Sequence, residues 1–285
     1  MTTPLSIDVY VAPMRPFAGA PASAEGDEPM WSPMSATLIS GETEAVLVDT
    51  LVTFDQVDAL SDWIEAHGKK LVAIYATHGH ADHWIGLARL LERFPEARGV
   101  ATPEVVARAE FESTNPAVST YWQTIFPGEV PDRPVLPQPL ADDVIDLEGS
   151  ELRVVRVGQG DTEFSTVLHV PTIDAVVAGD VIYNAVHIMT AETGPAERDQ
   201  WLASLEAIAA LNPRIVVAGH KRPGNEDGPE TIEQTRQYLR DFSDIVRDEV
   251  DPAAIVARML ELHGDRDNPR TLWHSARAAA ARKAG

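Results

Sequence analysis

The chain has 285 residues, 44% of them hydrophobic, which is enough for one large domain or two small ones. It contains no cysteine, so disulfides, thiolate metal sites and a cysteine nucleophile are excluded. Its formal net charge of −21 disfavours nucleic acid and anionic membranes as partners and favours a neutral small-molecule substrate. Because residues 1–8 lack a basic stretch and no run of about 18 apolar residues occurs, we expect a soluble cytoplasmic protein.

Alternating apolar residues near the N-terminus predict the first strands, which are expected at 5–11, 35–39 and 44–49. Residues 12–33 are rich in Pro, Gly, Ala and Ser and predict a long loop. Within it, Met30 and Trp31 either form the wall of a substrate pocket or pack on the body of the protein.

The next segment alternates helices and strands, which fits a sheet covered by helices. Helices are predicted at 54–67, at 84–94 and from 103, with strands at 71–76 and 99–101. Residues 111–143 contain several prolines, which are expected to break any long element. An aromatic cluster in this segment either roofs an active site or packs against the body, and it comprises Tyr121, Trp122, Ile125 and Phe126.

Four candidate metal ligands lie close together directly after the strand predicted at 71–76. The stretch is Thr77-His78-Gly79-His80-Ala81-Asp82-His83. Imidazole and carboxylate groups bind borderline divalent ions such as zinc, and a tight turn can aim alternate residues at a common point. We therefore expect His78 and His80 to face one ion, and Asp82 and His83 to face another.

This His-x-His-x-Asp-His pattern after a buried strand resembles the signature of the metallo-β-lactamase fold superfamily of metallohydrolases. The resemblance extends over residues 5–225 and implies an α/β (α+β) chain folded as an αββα sandwich. In that superfamily a strand equivalent to 44–48 ends in an aspartate beneath the metal site. Asp49 is therefore a candidate to support the ligands, with a plain strand-end cap as the alternative.

The second half of the chain predicts a second set of strands, at 144–147, 152–157, 167–170, 175–178 and 214–218. The last two end in Val-Val-Ala-Gly followed by Asp180 and by His220. The resemblance implies that Asp180 bridges two ions and that His220 completes the second site with Asp82 and His83. A glycine before each ligand allows the backbone to bend over the strand end.

The superfamily usually has Gly-His-Thr where this chain has Gly158-Gln159-Gly160-Asp161-Thr162. The resemblance therefore implies a first site made of His78, His80, Asp180 and Gln159. Because a glutamine amide is a weaker donor than imidazole, this site is expected to bind zinc less tightly than a site with histidine at 159. Either one or two zinc ions are compatible with this ligand set.

Such a site implies a zinc-dependent hydrolase in which a metal-bound hydroxide attacks a lactone, ester, thioester or amide. Asp82 would orient the water or accept its proton, while Tyr183 and His187 are expected to contact the substrate. Lys221 and Arg222 either hold a substrate carboxylate or are solvated charges. Two alternatives remain open: a mononuclear-iron enzyme like the sulfur dioxygenases, and a small-molecule-binding protein that has lost turnover through Gln159.

The C-terminal part predicts helices at 201–211, 230–250, 252–262 and 270–283. We expect residues 1–225 to form the metallo-β-lactamase-like domain and residues 226–285 to form a helical extension packed on it. This extension would cap the pocket or provide a homodimer face, with Trp273 and His274 as its most unusual side chains.

Overall fold

The computed structural model describes residues 5–17 and 29–284. Its strands are β1 Ser6–Ala12, β2 Arg15–Pro16, β3 Met30–Trp31, β4 Met34–Ser40, β5 Glu44–Val48, β6 Lys70–Tyr75, β7 Arg98–Ala101, β8 Gln138–Pro139, β9 Val144–Leu147, β10 Ser150–Gln159, β11 Glu163–Val170, β12 Ala175–Val177, β13 Tyr183–Asn184, β14 Ile215–Val217 and β15 His220–Lys221. Its α-helices are α1 Phe54–Ala66, α2 Leu87–Arg93, α3 Pro103–Thr114, α4 Pro116–Ile125, α5 Pro195–Ala210, α6 Glu230–Asp248, α7 Pro252–His263 and α8 Pro269–Ala284. Half of the loop predicted at 12–33, residues 18–28, lies outside the described residues, and its flanks pair as β2 and β3.

Two main sheets are present in the part of the chain that the structure describes. The first has the order β1-β4-β5-β6-β7-β8, and the second has the order β14-β12-β11-β10-β9. In the first sheet β5, β6, β7 and β8 are parallel, and in the second β12 and β14 are parallel. Because parallel strands end at the same edge, residues that follow β5 and β6, or β12 and β14, become neighbours.

The two sheets pack face to face, and helices cover both outer faces. Successive strand residues point to opposite sides: in β4, Leu38 faces α1–α4 whereas Ile39 faces the second sheet. In β11, Val167 faces α5–α8 whereas Leu168 lies between the sheets. The predicted αββα sandwich is confirmed.

Two helices differ from the sequence prediction for the same reason. Residues 116–125, expected to be irregular, form α4, and α5 begins at Pro195 rather than near 201. In both helices a proline occupies the first turn, where a backbone N–H has no helical partner and the fixed φ of proline suits the helix. In α4 the side chain of Asn115 caps this turn by accepting a hydrogen bond from the N–H of Ala117.

The C-terminal helices share one core with the rest of the second layer. Phe242 of α6, Met259 of α7 and Leu272 of α8 are fully buried in the same cluster as Trp201 of α5. Among the described residues, the helices are too short or too polar for any of them to span a bilayer.

Replacing Phe242 with alanine should lower the free energy of unfolding by about 3–5 kcal/mol, because the ring is completely buried where α5 and α6 meet. Urea unfolding followed by circular dichroism measures the change. The control is Leu262→Ala, which truncates a side chain of α7 that is 58% exposed and should cost less than about 0.5 kcal/mol. Equal effects of the two substitutions would contradict the packing described.

Candidate metal centre

The candidate ligands lie where strands of both sheets end. The stretch 77–83 follows β6, Asp180 follows β12, and His220 follows the short turn after β14. Two backbone hydrogen bonds join the sheets at this edge: the N–H of Ser35 donates to the carbonyl of Gly219, and the N–H of Thr166 donates to that of Thr77. The fold therefore brings together residues that are more than a hundred positions apart.

The second position contains the residues predicted for it. Ligand atoms of Asp82, His83 and His220 lie within 4.8 Å of one another, and all three side chains are buried. Asp180 lies beside them, with one carboxylate oxygen 3.3 Å from Nε2 of His83 and the other 3.3 Å from Nε2 of His220. Nε2 of His220 also lies 3.4 Å from Oδ2 of Asp82.

His78 and His80, which were predicted for the first position, lie together with the carboxylate of Asp161, which was not predicted. Oδ2 of Asp161 lies 2.9 Å from Nδ1 of His80, and Oδ1 lies 3.8 Å from Nε2 of His78. His78 also belongs to a group with His83 and Asp180 whose ligand atoms lie within 4.8 Å of one another, so the two positions are contiguous.

The structure places Gln159, predicted as a ligand of the first position, outside the residues that line the cavity over the centre. Gln159 is the last residue of β10, and its amide Nε2 donates a hydrogen bond to the carbonyl of Gly160 at 3.1 Å. It is not among the described residues that line the adjacent cavity, whereas Asp161 is. Asp161 lies two residues after the predicted ligand, in the same turn.

The imidazoles of His83 and His220 are each oriented by a hydrogen-bonding partner on Nδ1. Nδ1 of His83 lies 2.9 Å from Oδ2 of Asp49. The hydroxyl of Thr77 donates to the same oxygen, and the backbone N–H of Thr77 donates to Oδ1 of Asp49. Nδ1 of His220 lies 2.9 Å from the carbonyl oxygen of Pro33, which can only accept. In both rings Nδ1 is thus the donor and Nε2 faces the centre. Asp49 therefore fixes the orientation of His83, which is the arrangement that the first of its two predicted roles needs.

Two glycines allow the ligand segments to approach closely. Gly179 has φ of +49°, and a Cβ atom there would lie 2.4 Å from the hydroxyl oxygen of Thr77. A Cβ atom at Gly219 would lie 2.2 Å from Oδ1 of Asp180. Gly179 is needed for its conformation and Gly219 for the space it leaves.

Burial and mutual proximity strongly shift the acidity of these groups. Burial alone would lower the pKa of His220, but the carboxylates of Asp180 and Asp82 outweigh it and raise that pKa to about 10. In spite of burial, His220 and His83 hold the pKa of Asp180 well below its ordinary value. Burial raises the pKa of Asp161 to about 6. Without a metal, protons on imidazoles provide the positive charge that the carboxylates require.

Several buried polar atoms in the centre have no hydrogen-bonding partner in the described structure. They are Nε2 of His78, Nε2 of His83, Oδ1 of Asp161 and Oδ1 of Asp180. Buried polar atoms are normally paired, since leaving one unpaired costs about 1–3 kcal/mol. These atoms are imidazole nitrogens and carboxylate oxygens that point at common positions, so the donor set fits divalent cations such as zinc.

A cavity of about 460 Å³ opens over the centre, within the usual size range of small-molecule sites. Among the residues predicted to form its wall or roof, Trp31, Tyr121 and Trp122 line it. Tyr183 lines it too, and its hydroxyl donates to Oδ2 of Asp180 at 2.6 Å.

Three other predictions of substrate contacts are not supported by the positions of the residues. His187 is fully buried against the hydroxyl of Tyr238, 3.1 Å from Nδ1, and does not line the cavity. Lys221 pairs with Asp227 and Arg222 pairs with Asp267, and neither cation lines the cavity. The cation that does line it is Arg270 of α8, which the sequence analysis did not single out.

Sequence comparison links the chain to a known family. A profile of the metallo-beta-lactamase superfamily matches residues 30–220. A hydroxyacylglutathione hydrolase from Synechococcus sp. (strain CC9605) is 36% identical over 70 residues, which are 25% of this chain and 26% of that protein. A hydroxyacylglutathione hydrolase from Synechococcus sp. (strain CC9902) is 44% identical over 57 residues, 20% of this chain and 21% of that protein. The chain thus aligns with about a quarter or less of the length of these relatives.

Structural comparison shows the same fold over most of the chain. A metallo-beta-lactamase family protein from Thermus thermophilus superposes with a TM-score of 0.64 at 21% identity, covering 97% of this chain and 94% of that one. A metallo-beta-lactamase from Pseudomonas aeruginosa, solved in its mono-zinc form, gives a TM-score of 0.57 at 16% identity, covering 85% of this chain and 96% of that one. At these identities the likeness establishes the fold alone.

Replacing Asp49 with asparagine should weaken zinc binding by about 10- to 100-fold, because His83 loses the carboxylate that fixes its Nδ1–H. Competition with a chromophoric chelator measures the affinity. Asp199→Asn, at an exposed position of α5, is the control and should leave it unchanged. If both variants bind zinc like the parent protein, Asp49 does not support the centre.

Proposed function

Because the chain belongs to the metallo-beta-lactamase superfamily, we propose that it is a zinc-dependent hydrolase of a small molecule with a lactone, ester, thioester or amide carbonyl. The observation that carries the proposal is the convergence of imidazoles and carboxylates from separate strand ends beneath one cavity. The name of the matched relatives, hydroxyacylglutathione hydrolase, describes a thioester hydrolase and supports a thioester as one candidate.

Asp82 and Tyr183 are the residues proposed to act next to the reacting groups. A divalent cation held by the centre would lower the pKa of water from about 15.7 toward 7 and polarise the substrate carbonyl. Asp82 lines the cavity beside His220, so its carboxylate is placed to orient the attacking water and accept its proton. Tyr183 holds Asp180 through its hydroxyl and brings an O–H donor to the cavity surface.

The cavity walls favour a substrate with an apolar part and a negative charge. Trp31, Trp122 and Met189 contribute apolar surface. Arg270 stacks on Phe17, 4.1 Å from the ring centroid, and hydrogen-bonds to the side chain of Tyr121. Although the net charge of the protein favours a neutral substrate, this local cation would attract a carboxylate at the cavity.

Turnover of a lactone, a thioester, an ester and a β-lactam by the zinc-loaded protein tests the proposal. We expect at least one class to be hydrolysed, with activity lost on chelation and restored by zinc. The variant His220→Ala removes a ligand of the second position and should abolish turnover while circular dichroism shows the fold retained. Binding of a substrate without turnover of any class would instead favour a binding protein. Oxygen-dependent turnover by an iron-loaded form would favour an enzyme like the sulfur dioxygenases.

Replacing Arg270 with alanine should raise KM for substrates that carry a carboxylate by about tenfold or more, and leave KM for neutral substrates unchanged, because a charge-assisted hydrogen bond is worth about 1.5–3 kcal/mol. Steady-state kinetics on a matched acid and its methyl ester make the comparison. Arg277→Ala is the control, since Arg277 lies on the same helix but not on the cavity. The same KM change for both substrates would contradict a carboxylate-binding role.

A further inference from the structure

We propose that Asp161 is a ligand of the first metal position and makes the donor set of that position equal to that of the second. The resulting centre would bind two divalent ions with comparable affinity and, being rich in carboxylate, would accept Mn²⁺ as well as zinc. The inference rests on the proposed function only in that the centre must hold metal, and it does not require any substrate to be hydrolysed.

The turn between β10 and β11 fixes the position of Asp161. The pairing of these strands is irregular at Gly158, whose φ of +99° redirects the chain before the turn. Within the turn the N–H of Gly160 donates to the carbonyl of Thr162, which also accepts from the hydroxyl of Ser165. Asp161 is only 1% exposed, so its carboxylate is held in place rather than free in solvent.

One oxygen of the Asp161 carboxylate is available to bind a cation. Oδ2 faces Nδ1 of His80 at 2.9 Å and the hydroxyl of Tyr183 at 3.5 Å. Oδ1 is buried without a hydrogen-bonding partner, and 3.8 Å away lies Nε2 of His78, which is also buried and unpaired. A cation between these atoms would satisfy both, whereas an uncompensated buried carboxylate oxygen is costly.

The two positions then contain the same kinds of donor. The first has His78, His80 and Asp161, and the second has His83, His220 and Asp82. Asp180 faces both, since it groups with His78 and His83 and contacts His220. The three carboxylates carry three negative charges, and two divalent cations would carry four positive charges. One hydroxide would therefore make the centre neutral.

This donor set differs in its preference from one with three imidazoles. Imidazole suits zinc, iron and copper, whereas carboxylate suits manganese, magnesium and calcium. Replacing one imidazole by a carboxylate therefore reduces the advantage of zinc over Mn²⁺ at the first position. The outer nitrogen of His80 also faces a carboxylate, Oε1 of Glu192 at 3.3 Å, which orients the ring.

Metal titration of the chelator-treated protein tests the inference without any activity measurement. Calorimetry and elemental analysis should give two zinc ions per chain with dissociation constants within about tenfold of each other. Electron paramagnetic resonance should show a spin-coupled Mn²⁺ pair. In Asp161→Asn one ion should bind at least about tenfold more weakly while the other is unchanged, and the Mn²⁺ pair should be lost.

Asp161→His is a second variant in case the first does not fold. It should keep two zinc ions but bind Mn²⁺ about tenfold or more weakly at the first position. Gln159→His is the matched control in the same turn and should change neither metal. Two unchanged ions in Asp161→Asn, or tighter zinc binding in Gln159→His, would overturn the proposal, even if the protein proves to be a hydrolase. Conversely, if the protein hydrolyses no substrate but shows the expected titrations, the proposal for the metal centre stands and only the proposed hydrolase function is contradicted.

Discussion

The structure depends on a concentration of buried carboxylates and imidazoles that the protein does not satisfy by itself. Asp161 and Asp180 each have a buried oxygen without a hydrogen-bonding partner, and His78 and His83 each have such a nitrogen. Packing elsewhere in the fold must offset the free-energy cost of burying these unpaired atoms. A bound cation would remove that cost by taking the atoms as ligands. A cation that bound the folded arrangement and not the unfolded chain would add its binding free energy to the stability of the fold.

The αββα sandwich can hold this arrangement because its parallel strand pairs end at one edge. The pair β5 and β6 delivers Asp49 and the histidine turn, and the pair β12 and β14 delivers Asp180 and His220. The two segments approach so closely that a side chain at Gly219 would clash with Asp180. The ligands therefore belong to rigid strand ends rather than to independent loops, which is the condition for a fixed metal geometry.

Sequence patterns singled out the candidate ligands that follow predicted strands. The histidine turn and the repeated Val-Val-Ala-Gly before Asp180 and His220 both follow from strand periodicity and one glycine. Asp161 was not assigned, although the Gly-x-Thr frame of the superfamily pattern fits Gly160-Asp161-Thr162 and not Gly158-Gln159-Gly160. His187 was predicted to contact the substrate but lies away from the cavity. Its direction is set by packing against Tyr238 of α6, which is distant in the chain. The order of strands and helices can thus be predicted from local sequence, whereas the direction of a side chain such as His187 depends on tertiary packing.

Helix α8 shows that the candidate site extends beyond the segment matched by the family profile. Arg270 and His274, four residues apart, line the cavity, whereas Leu272 and Ala276 on another face are buried in the second-layer core. The hydroxyl of Ser275 accepts a hydrogen bond from the backbone N–H of Thr190. This bond joins α8 to the loop around Thr190, which also lines the cavity. The profile ends at residue 220. The candidate metal ligands thus lie inside the matched segment, whereas Arg270, the cation on the cavity wall, lies outside it.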